Sequence, residues 1–87
     1  DGLGAAKLGT FTAKFGGVEK DGTSYLVAVG ADKTVYKVDG TSGAQTVAYN
    51  FGNVGAQSLG DLGWNPATRT VAVVDPSQNA VYFFKLP

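Results

Sequence analysis

One β-hairpin is written twice in this chain, and that repeat limits what the chain can fold into. Tyr25-Leu26-Val27-Ala28-Val29-Gly30-Ala31-Asp32-Lys33-Thr34-Val35-Tyr36 returns as Thr70-Val71-Ala72-Val73-Val74-Asp75-Pro76-Ser77-Gln78-Asn79-Ala80-Val81-Tyr82. Val27-Ala28-Val29 aligns with Val71-Ala72-Val73, and Val35-Tyr36 with Val81-Tyr82; the second copy then has two extra residues in its turn. A period near 44 residues marks a repeated β unit. Such units rarely bury their apolar faces alone. The chain is therefore expected to pack against copies of itself or against a larger assembly.

Composition points the same way. With 87 residues the chain is one small β domain, 1–87, whose core is marginal in isolation. Small domains are usually reinforced by disulfides, a metal or oligomerisation. Cysteine and histidine are both absent, so no disulfide forms and the commonest metal ligand is missing. No cofactor is expected, and association with other chains remains. Seven Lys+Arg balance seven Asp+Glu. Nucleic acid is not an expected partner, because its binding needs a basic footprint. The longest apolar run, Ala80 to Phe84, is strand-sized and far below the ~18 residues of a membrane helix, so no membrane insertion is expected. The absence of methionine suggests a processed product or a fragment.

Periodicity gives an all-β reading. Asp1 to Ala6 reads as a loose arm. Leu8 to Phe15 alternates, with Phe11, Ala13 and Phe15 on one face, and Gly16-Gly17 is expected to break the strand. Strands follow at 25–29, 34–38, 46–51, 58–64, 69–74 and 79–86, separated by Gly, Asp, Asn and Pro turns. Val47, Tyr49 and Phe51 are expected on one face of their strand, and Ala80, Tyr82, Phe84 and Leu86 on one face of the last. That makes about seven short antiparallel strands.

The run Leu62-Gly63-Trp64-Asn65-Pro66-Ala67-Thr68-Arg69-Thr70-Val71-Ala72-Val73 resembles the start of a blade in YVTN- or NHL-type β-propellers, with Asp75 to Tyr82 supplying the later turn and Val-Tyr strand. The resemblance covers about half the chain. In the first copy Lys20-Asp21-Gly22-Thr23-Ser24-Tyr25 stands in place of the Asn-Pro turn. The resemblance implies two blade-like meander units, 8–51 and 58–87, the second lacking a fourth strand. Two blades cannot close a ring, so a propeller-type oligomer is implied. The other architecture that fits seven strands is a small β-sandwich or barrel.

Catalytic chemistry is not apparent. Without His or Cys, nucleophilic catalysis would rest on Ser-Lys or Thr-Lys pairs, and Lys33-Thr34 and Thr12 with Lys14 read as ordinary turn and strand residues. Asp39-Gly40-Thr41-Ser42-Gly43 offers one carboxylate, too few for a calcium loop. The chain is therefore expected to be no enzyme. Its expected role is structural: a self-assembling module of a virion surface, cell-surface filament or propeller-type oligomer, outside the cell or at such a surface. Phe11 and Phe15 near one terminus, and Tyr82, Phe84 and Leu86 near the other, are the expected assembly interface. The alternative is a carbohydrate-binding module. There Tyr49 and Trp64 would give an aromatic platform and Asn65 and Arg69 the polar contacts to a glycan.

Overall fold

A computed structural model describes residues 15–86, with side chains from Gly17 onward. The loose arm, most of the 8–15 strand and Phe11 lie outside the described residues. The described chain is all-β. Its seven antiparallel strands are β1 (Phe15–Asp21), β2 (Ser24–Val29), β3 (Thr34–Asp39), β4 (Gln45–Asn50), β5 (Leu62–Asn65), β6 (Thr70–Asp75) and β7 (Ala80–Lys85). A 3-10 turn, Phe51–Val54, follows β4.

Strand order distinguishes the expected architectures. β1-β2-β3-β4 form one sheet and β5-β6-β7 a second, each a meander of consecutive strands, and neither closes into a barrel. We call them sheets A and B. They pack face to face. Leu26, Ala28 and Val35 of sheet A meet Leu62, Val71 and Val73 of sheet B, all buried. Phe51, Ala56 and Leu59 of the connecting segment and Leu86 complete that core. Beneath it, Val27, Val29 and Val38 form a second buried cluster with Tyr36 on the opposite face of sheet A.

The register corrects the sequence alignment. β2 and β3 begin at Ser24 and Thr34, and β6 and β7 at Thr70 and Ala80, 46 positions later in both cases. The two hairpin turns are equal in length: Val29 pairs with Thr34, and Asp75 with Ala80. Each ends on a left-handed residue, Lys33 (φ 57°) and Asn79 (φ 51°). The two extra residues lie one turn earlier. Asp21 pairs with Ser24 across Gly22-Thr23, whereas Asn65 pairs with Thr70 across Pro66 to Arg69. A run of Val and Ala fits either offset, because its side chains are nearly interchangeable in volume.

Two local expectations also change. β1 runs through Gly16-Gly17, with only a register shift between Phe15 and Gly17. Gly17 serves a close approach: a Cβ there would lie 2.7 Å from Asp61 Oδ1 and 2.8 Å from the Leu62 backbone nitrogen of sheet B. Glycine within a strand often marks such a contact. In β4, Val35 pairs with Tyr49 and Tyr36 with Val47, so Ala48 is an inserted bulge residue. Tyr49 turns to the core, while Val47 lies 62% exposed. Phe51 has left the strand and is buried within the 3-10 turn.

Candidate interaction surface

The last strand carries apolar side chains on both faces, and the two faces have different surroundings. Val71, Val73, Tyr82 and Phe84 belong to the face of sheet B that meets sheet A. Phe84 stacks on Tyr49 with ring centroids 4.1 Å apart, and Tyr49 meets Phe51 edge-on at 4.7 Å. Tyr82 also packs against Phe51, at 5.9 Å. Leu86 is buried in the same core. Tyr82, Phe84 and Leu86 therefore face inward, and the expectation that they form the assembly interface is corrected. Of the N-terminal pair, Phe11 lies outside the described residues, and Phe15 is described only as the first residue of β1.

The outward face of the same sheet is open. Ala72 lies beside Phe83, and Val74 beside Val81. Val74 is 37% exposed, Val81 53% and Phe83 71%. Three of the six large exposed hydrophobics among the described residues share this face. Contiguous exposed apolar surface is the usual mark of an interaction site. Lys85 adds a charge at the end of the face where Thr70 lies. The sequence signal was present, because Val81 and Phe83 alternate with Tyr82 and Phe84. Alternation alone does not say which set meets the core when both are apolar.

The residues expected to form a glycan site are not arranged as one. Trp64 sits at the edge of the core, and the Arg69 guanidinium lies over its ring, 5.3 Å from the centroid. Arg69 reaches both carboxylate oxygens of Asp21 at 3.4 Å, and Lys37 lies 3.6 Å from the same carboxylate. Arg69 thus ties β1 to the turn before β6. The Trp64 indole N–H has no acceptor among the described residues. Asn65 accepts a hydrogen bond from the Ala67 backbone at 3.0 Å, which folds the turn. Tyr49 stacks on Phe84 in the inter-sheet core.

The buried carboxylate of Asp75 is the most perturbed acid. It accepts hydrogen bonds from the Gln57 backbone and the Gln78 amide on one oxygen, and from the Ser77 hydroxyl and backbone on the other. The Gln57 N–H, followed by the Ser77 hydroxyl, holds its pKa well below the usual carboxylate range, although burial acts in the opposite direction. With every donor aimed at one carboxylate, Asp75 clamps the β6–β7 turn to the segment linking the sheets. A carboxylate so fully engaged is a structural device rather than a poised acid or base.

Among the described residues no three His, Cys, Asp or Glu side chains are grouped to hold a metal ion. None of the described helical segments is long and apolar enough to cross a membrane. The chain matches no protein-family model, no curated protein and no solved structure.

Proposed function

We propose that this chain is a non-enzymatic structural module that assembles by covering the outer face of sheet B with a neighbouring protein surface. The exposed row of Val74, Val81 and Phe83 carries the reading. Burying apolar area contributes roughly 25 cal/mol per Å², so leaving a phenylalanine 71% exposed forgoes one of the larger gains available on this surface. The paired meanders support a blade-like reading of each sheet, in keeping with the YVTN/NHL-type resemblance of Leu62 to Tyr82. The neighbour is a copy of the chain or another component of a larger assembly.

Light scattering behind a sizing column, at rising concentration, tests the reading. The wild-type mass is expected to climb above the 8.9 kDa monomer, while Phe83→Asp stays monomeric with an unchanged melting temperature. Monomers at every concentration for both proteins would remove the proposal.

A further inference from the structure

The two sheets are related by the 46-residue repeat, and that relation identifies what fits the open face. In the repeat frame Leu26, Ala28, Val35 and Lys37 of sheet A correspond to Ala72, Val74, Val81 and Phe83 of sheet B. Leu26, Ala28 and Val35 are at most 1% exposed, because sheet B covers them. Their counterparts are the open face. The opposite faces correspond as well: Val27, Tyr36 and Val38 match Val73, Tyr82 and Phe84. The sheets thus stack head to tail, the first face of one unit on the second face of the next.

The edge of sheet B repeats the pattern. In sheet A, β4 pairs with β3. The counterpart of β3 is β7, which among the described strands pairs only with β6. An unpaired strand edge presents a row of backbone donors and acceptors ready for another strand.

We infer that sheet B docks a further copy of this chain's own repeat unit. A strand like β4 would pair along β7, and a meander carrying the pattern of Leu62, Val71, Val73 and Tyr82 would cover Val74, Val81 and Phe83. The inference rests on the assembly reading above and names its partner. Area argues for the combined contact. An aromatic side chain offers on the order of 150–250 Å², and this patch has one aromatic residue and two valines. That falls well short of the roughly 800 Å² per partner in a stable interface between free proteins. Strand pairing on the open edge supplies the rest. A folded second copy cannot present the complementary face, because Val27 and Val38 on one sheet and Val71 and Val73 on the other are already buried. The occupant is therefore a repeat unit whose covering face is free.

The test is a chain in which residues 40–86 are repeated directly after Lys85, the position equivalent to Asp39. Hydrogen exchange is read at Ala80 to Lys85. The β7 amides that point away from β6 are expected to exchange at least tenfold more slowly than in the 87-residue chain. A second chain extended only by residues 40–55 is expected to protect the same amides through edge pairing alone, so a misfolded third meander does not decide the matter. Unchanged β7 exchange in both extended chains, with β2 and β6 still protected, overturns the inference. If association of the natural chain still depends on Phe83 in that case, the assembly reading stands without it. If that dependence is also absent, both fall.

Discussion

Phe83 and Phe84 are adjacent in sequence, and the structure gives them opposite roles, so truncating each in turn tests the fold directly. Phe84 is half-buried and touches Tyr49 and Phe51. Full burial makes Phe→Ala cost about 3–5 kcal/mol. Half of that, with about 0.5–1.5 kcal/mol for the aromatic pairing, gives about 2–3 kcal/mol for Phe84→Ala. At ~4–8 °C per kcal/mol for a domain of this size, the melting temperature should fall by roughly 10–20 °C. Phe83→Ala removes a side chain that is 71% exposed and should cost under about 0.5 kcal/mol. Thermal and urea unfolding followed by far-UV circular dichroism, at a dilution where the chain is monomeric, measures both. Equal losses, or a larger loss at Phe83, would refute the assignment of β7's inner face.

Three further expectations follow from named contacts. Gly17→Ala pushes a methyl group into the Asp61–Leu62 backbone and should cost about 1–3 kcal/mol, read from the urea midpoint; a neutral result would show that the sheets do not approach there. Asp75→Asn places an amide donor among donors and should lower the melting temperature. Because the folded pKa of Asp75 is depressed, its contribution is complete above the unfolded value of about 3.9 and is lost as pH falls from there toward the folded pKa. Acid titration of stability should therefore flatten below about pH 4 in Asp75→Asn relative to wild type; parallel curves would contradict the clamp. Asp21→Asn releases the Arg69 and Lys37 cations, which are partly exposed, and should cost no more than about 1 kcal/mol, shrinking in high salt.

The repeated hairpin, the strand count and the meander grouping were legible because short β-branched runs between Gly, Asp and Pro turns leave few other options. The details that escaped depend on partners far away in sequence. Gly17 reads as a breaker until β5 is placed against it. The bulge at Ala48 comes from the β3–β4 register, and it puts Val47 and Tyr49 on opposite faces despite their even spacing. Asp75 is visible as the first residue of an Asp-Pro turn, yet its bond to the Gln57 backbone is not. The expected ligand residues Trp64 and Arg69 do meet, but Asp21, 48 positions away, makes their contact an internal tie. The misplaced interface has the same origin: β7 is apolar on both faces, and only the packing of sheet A separates Tyr82 and Phe84 from Val81 and Phe83.

Hydroxyl-radical footprinting of the natural chain, in dilute and concentrated solution, tests the central claim most directly. The outer face of sheet B as an interaction surface predicts heavy oxidation of Phe83 when dilute and protection when concentrated, with Phe84 protected in both. Equal oxidation of Phe83 at every concentration, or oxidation of Phe84 matching it, would contradict the claim.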